Sequence, residues 1–293
     1  MLLSRQAISL LSLFAPLLLA CACAAPRAVD IPQAEGARQP AQPFIPASAQ
    51  RQQTIEEKWR QLLAEYGLPD GVPELEPILL TPRALPAGMA GRINLNLQNN
   101  LNPQNNTLDA TQARETLRRF LARAGGLLCG DTRETALSLK DLSLVTFGDE
   151  GTMYRAVYQQ MNMPLPLAGG YGGMTILMSK KGLLLQLQSR IVSPLLVSGE
   201  IHSRPGVSPQ QATDTLMGRV FSYSNAAGQP VNYKVEQRDA IDVRELVILP
   251  RVDNDRMLLH LAWRVEVGRG MTWTVYIDAL SGAELDVRQN FQT

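Results

Sequence analysis

The sequence predicts an α+β fold of two consecutive helix-plus-antiparallel-sheet modules. Three observations carry this. Helix-period stretches open after Asp109 and Ser208, each with Gln three residues on. Each stretch is followed by runs in which apolar and polar residues alternate with period two. The runs are joined by short turns such as Gly148-Asp149-Glu150-Gly151, Lys180-Lys181-Gly182 and Ser281-Gly282. Helix then sheet, twice, is the order expected when a helix covers one face of an antiparallel sheet.

The chain opens with Arg5 and an apolar stretch, Ala7 to Ala20, interrupted only by Ser9, Ser12 and Pro16. This is shorter than the roughly 20 residues of a membrane-spanning helix and has the length of a signal-peptide core. Residues 1–20 are therefore expected to be a signal peptide. Leu18-Leu19-Ala20-Cys21 resembles the lipobox of bacterial lipoproteins, with Leu19 where Ala, Ser or Thr is usual. The resemblance implies lipidation of Cys21 and a membrane anchor in the cell envelope. Cleavage after Ala22 or Ala24 is the alternative, because Ala20-Cys21-Ala22 and Ala22-Cys23-Ala24 also fit a small-x-small site. That route leaves a secreted protein, and either route exports the chain.

Residues 21–53 are rich in Ala, Pro and Gln without periodicity and are expected to form a flexible tether. Thr54, with Glu57 three residues on, is read as the cap of a short helix. Its apolar positions are Ile55, Trp59, Leu62, Leu63 and Tyr66, and Gly67 and Pro69 end it. The rest of 54–109 is loop-rich, with one candidate strand at 92–98. Asp109 and Gln112 open the stronger helix, whose apolar stripe is Ala113, Leu117, Phe120, Leu121 and Ala124. Strands are expected at 142–147, 153–161, 174–179 and 183–192. Ser208-Pro209 starts the second helix, with Pro at its first position and with Ala212, Leu216 and Val220 continuing it. In 258–267, Leu259, Leu261, Trp263, Val265 and Val267 share one face; His260, Arg264 and Glu266 share the other. Trp273, Val275 and Ile277 alternate with Thr274, Tyr276 and Asp278 in the next run, and a strand at 284–288 follows. Such alternation predicts a sheet with one buried and one wet face.

A net charge of +1, from 28 basic and 27 acidic residues, offers nucleic acid no bulk attraction. The sequence holds no HExxH, CxxC, GxSxG or GxxxxGK[ST] pattern. The two histidines, His202 and His260, are read as surface residues. Asp253 and Asp255 are assigned to a turn, since Asp-Asn-Asp lacks the spaced ligands of a calcium loop. Gly169-Gly170-Tyr171-Gly172-Gly173 lies between strands, so close backbone packing explains it better than a phosphate cradle. Arg114, Arg118, Arg119 and Arg123 form either an anion-binding stripe or, more simply, a solvated face with Glu115. Cys129 in its apolar context reads as an inert buried thiol, with reactivity or pairing to Cys23 as alternatives. No catalytic, cofactor or metal residue is expected, and the chain is not expected to be an enzyme.

Gln159-Gln160, Pro166-Leu167 and Gly169-Gly170 stand at ungapped spacing in 154–182. This segment resembles the propeptide domain of fungalysin- and thermolysin-type metallopeptidases. Pro164 stands near a place where that family carries Gly. Residues 205–289 resemble the PepSY module that follows it, through Trp263-Arg264-Val265-Glu266-Val267 and Val275-Tyr276-Ile277-Asp278-Ala279-Leu280-Ser281-Gly282. The resemblance implies a propeptide-like domain over 110–200 and a PepSY-like domain over 201–293. It implies a propeptide kept apart from its peptidase, which would bind, inhibit or chaperone an exported metallopeptidase in trans. The alternative is a structural or adaptor lipoprotein of the envelope that reuses the fold. The sequence does not single out the partner-binding residues or the oligomeric state.

Overall fold

The computed structural model describes residues 42–96, 107–128, 136–146, 151–225, 227–269 and 272–291. The expected anchor Cys21, with Cys23 and Cys129, lies outside the described residues. The chain enters as β1 (Phe44–Pro46), followed by α1 (Ala49–Glu65). Ser48, not Thr54, caps this helix: its hydroxyl accepts from the Arg51 N–H at 3.2 Å. Thr54 lies inside the helix and donates to the Gln50 carbonyl one turn back. Part of the expected tether is therefore structured, because Ile45 supplies a wholly buried side chain and Ser48 is an equally good cap.

Three short strands follow: β2 (Glu74–Leu75), β3 (Pro82–Ala84) and β4 (Ile93–Asn94). Then come α2 (Ala110–Ala124), β5 (Leu137–Thr146), β6 (Thr152–Gln160), β7 (Gly173–Ser179) and β8 (Leu183–Ser189). The expected capping box of α2 is present: Asp109 accepts from Gln112 N–H and the Gln112 side chain accepts from Asp109 N–H. The first sheet runs β4-β8-β7-β6-β5 and is antiparallel throughout. Trp59, Leu62 and Leu63 of α1 share one core with Leu117, Phe120 and Leu121 of α2 and with Tyr154, Ile176, Met178 and Leu187 of the sheet. β5 starts five residues before the predicted strand. An irregularity between Leu139 and Asp141 shifts its register. Leu137 and Leu139 are thus in phase with Leu142 and Leu144 only across a bulge, which hides the first half of the strand from a strict period-two reading.

The second sheet follows a different plan. The second half of the chain comprises α3 (Pro209–Leu216), β9 (Val220–Ser224), β10 (Pro230–Lys234), β11 (Ile241–Asp253), β12 (Arg256–Val267), β13 (Trp273–Asp278) and β14 (Glu284–Gln289). β12, β13 and β14 are consecutive neighbours, β11 and β1 also pair with β12, and β9–β10 is a separate hairpin. The α3 helix has only eight residues and buries only Ala212 and Leu216. Much of the cover over this sheet comes from aromatic rings. Phe221 of β9 and Tyr233 of β10 stack on Trp273 at 5.1 and 5.2 Å between centroids, and Phe291 meets it edge-on at 5.2 Å. Val220, expected to continue the helix, opens β9 instead.

The predicted α+β pair of modules is therefore incorrect. Among the described residues the molecule is mostly β, with 41% strand against 20% helix and a curled antiparallel sheet. Two further features break the modular order. First, β1 joins the second sheet and β4 the first, so the segment preceding both expected modules contributes to each. Second, the loop after β6 runs beside β11: Ala168 N–H donates to the Ile248 carbonyl and Ile248 N–H to the Pro166 carbonyl. Ile45, Ile78, Leu79, Val192, Ile248, Met257 and Leu259 form a core drawn from both halves. The wet face expected of β13 is also absent. All six of its residues are buried, with Tyr276 packed among Ala168, Val247, Leu249 and Ala262.

Candidate functional site

The two histidines are not the free surface residues expected. His260 Nδ1 lies 3.2 Å from Asp278 Oδ2, and both side chains are largely buried. Asp278 Oδ1 accepts the N–H groups of Leu280 and Ser281 at 2.9 and 2.8 Å. Burial is the strongest influence on this carboxyl and pushes its pKa up. The hydrogen bonds from His260, Ser281 and Leu280 together outweigh burial and hold it below the usual value. The arrangement locks the turn after β13. Sequence reasoning missed it because period-two alternation placed Asp278 on a wet face. His202 is half-buried, and its Nε2 has no hydrogen-bond partner among the described residues.

Asp253 accepts from Arg256, and the Asp255 carbonyl accepts from Ala47 N–H, so this acidic pair is turn chemistry. The Gly-rich run is a close-packing device. A Cβ on Gly172, at φ +74°, would lie 2.9 Å from Leu167 Cδ1. Beside it, Arg190 lies over the Tyr171 ring and bonds the buried Glu76 at 2.9 Å. Glu76 and Arg190 are 114 residues apart, and no local pattern marks either of them.

The arginine stripe of α2 is mostly committed. Glu115 accepts from both Arg118 and Arg119, at 2.7–2.8 Å, and these bonds hold its pKa down to about 2. Arg123 pairs with Glu65 of α1 at 3.6 Å. Arg114 has no carboxylate partner among the described residues. It lines a cleft of about 560 Å³ between α2 and β5. Thr111, Arg114, Arg118 and Leu121 border it along the helix, and Leu137, Leu139 and Tyr158 border it along the sheet. Tyr158 is buried, which pushes its phenol pKa upward against the pull of Arg114, and its hydroxyl makes no hydrogen bond among the described residues. The spacing 111, 114, 118, 121 keeps one helix face toward the cleft over about 15 Å at the usual rise per residue.

The sheet side of this cleft includes the edge strand β5. β5 ends the first sheet, and no described strand pairs with its outer side. Its Leu144 is 52% exposed. An edge strand beside a helix is a template for strand addition. The arrangement can therefore hold an extended chain through backbone bonds and offer it a cation, a phenol and an apolar wall. Among the described residues, no group of three or more His, Cys, Asp or Glu is placed to hold a metal ion.

No protein-family model matches the chain. No curated protein matches it either. Among solved structures it is similar to the C-terminal domain of YpeB from Bacillus megaterium, at 14% identity and a TM-score of 0.30. That likeness covers 72% of this chain and 73% of the YpeB domain. No family model and no curated protein supports the resemblance to metallopeptidase propeptides.

Proposed function

We propose that this chain is a non-catalytic accessory protein of the cell envelope. In this reading it is exported, held at a membrane through Cys21, and binds an exported metallopeptidase in trans to inhibit it or assist its folding. The observation that carries the binding role is the open edge of β5 beside the α2 cleft. The propeptide-like spacing of Gln159-Gln160, Pro166-Leu167 and Gly169-Gly170 supplies the class of partner. Those residues are themselves structural. Gln160 is buried and bonds both the N–H and the carbonyl of Val192, fixing the loop after β8.

The test uses the full chain, titrated against the metallopeptidases secreted by the same organism. The expected results are inhibition or an improved refolding yield, and weakening of either by Leu144→Lys, which places a charge on the edge. If no metallopeptidase is inhibited, refolded or bound, the peptidase reading fails. Recovery of envelope-assembly proteins instead would favour the adaptor role. For the anchor, Cys21→Ser is expected to release the protein from membranes and to remove the mass of the lipid. Unchanged membrane fractionation would leave only export standing.

A further inference from the structure

The cleft between α2 and β5 combines features that a general protein-binding surface does not need. Arg114 is a cation without a carboxylate partner among the described residues, although its helix neighbours Arg118, Arg119 and Arg123 all have one. Its charge reaches the buried Tyr158 phenol, whose hydroxyl is also unpaired among the described residues. A guanidinium and a hydroxyl facing one cavity are donors for a single acceptor group of negative charge. Among the charged residues that line the cleft, Arg114 and Arg118 outnumber Glu115, which Arg118 and Arg119 already engage.

The rest of the cleft selects among anions. Leu121, Leu137 and Leu139 form an apolar wall, which a phosphate or other small ion would leave uncovered. The cleft is elongated along one helix face, and its other border includes the edge strand β5. A chain extended at about 3.3 Å per residue would place some four residues along its 15 Å. An extended peptide uses all three features together: main-chain bonds to β5, an apolar side chain against the wall, and a terminal charge on the cation.

We infer that the α2–β5 cleft binds the end of a peptide through its free terminal carboxylate, held by Arg114 and Tyr158, with an apolar last side chain against Leu121, Leu137 and Leu139. This rests on the binding role proposed above and names the chemistry that the cleft recognises. Tyr158 donates its hydroxyl proton in a hydrogen bond, and no covalent step is involved.

The test is fluorescence polarisation of the full chain with a labelled pentapeptide ending in leucine, as the free acid and as the terminal amide. Saturable binding of the acid is expected, with the amide at least tenfold weaker. Arg114→Gln is expected to lower acid affinity at least tenfold and leave amide affinity unchanged, since the arginine is exposed and takes no part in the core. Tyr158→Phe, which keeps the ring and its packing, is expected to weaken the acid severalfold. Equal binding of acid and amide, or indifference to Arg114→Gln, overturns the carboxylate inference. If Leu144→Lys still weakens both peptides in that case, the edge remains a binding surface. If no peptide binds while a peptidase complex forms, the inference falls and the peptidase reading survives. If acid-selective binding occurs and no peptidase is engaged, the inference stands and the peptidase reading falls.

Discussion

At the scale of single residues, the informative groups are those whose partners are distant in sequence. Asp278 reads as one polar position in an alternating run, yet it receives His260 and two backbone N–H groups. Removing a carboxylate from such a site leaves buried donors unsatisfied. Asp278→Ala is expected to lower unfolding free energy by roughly 1–3 kcal/mol near neutral pH, measured by denaturant titration. The pH dependence has a definite sign. The folded pKa lies below the usual value, so the contribution is complete above the unfolded pKa of about 3.9 and is lost as pH falls through the folded value. The gap between wild type and variant should therefore close below about pH 4. A gap that widens toward acid would contradict the assignment. Arg114 belongs to this scale as well. Its type and position on α2 were legible in the sequence, but its lack of a carboxylate partner among the described residues, beside paired neighbours, was not.

At the scale of elements, capping chemistry and periodicity read well where a segment is regular. The Asp109 box forms as its spacing predicts, and Ser208, read as a helix start, also closes a box with Gln211. Signals failed where two local solutions compete. Ser48 and Thr54 are both competent caps, and the burial of Ile45 upstream favours the earlier one. The bulge in β5 reverses the phase of its alternation and so concealed half of the edge strand that borders the cleft. The helix of the second half proved a minor cover, because the aromatic hairpin β9–β10 takes that place over Trp273. Trp273→Ala is accordingly expected to cost about 3–5 kcal/mol in denaturant unfolding. A loss under 1 kcal/mol would show that the aromatic cluster is not the core of this sheet.

At the scale of the whole molecule, the two sheets are tied through one N-terminal segment and through the loop at Ala168. The shared core around Ile45, Ile248 and Leu259 cannot be divided without exposing apolar surface on both sides. Unfolding should therefore be cooperative. Trp59 reports on the first core, while Trp263 and Trp273 report on the second. Single-tryptophan variants that keep Trp59 or Trp273 should give coincident fluorescence transitions, each matching far-ultraviolet circular dichroism. Separate midpoints would mean that the halves unfold independently and that the joining contacts are weak.

The sequence by itself determined the capping box at Asp109, most of the strands, the turn role of Asp253 and Asp255 and the close packing of the Gly-rich run. These depend on residues within a few positions of one another, where backbone sterics and hydrogen-bonding geometry are local. The tertiary structure alone decided that the described chain is mostly β, that β1 and β4 serve different sheets, that β13 is buried on both faces, and that Arg114 and Tyr158 line one cleft beside the edge strand β5. Each of these is a pairing across many residues, and periodicity records only that a face is buried, not what covers it.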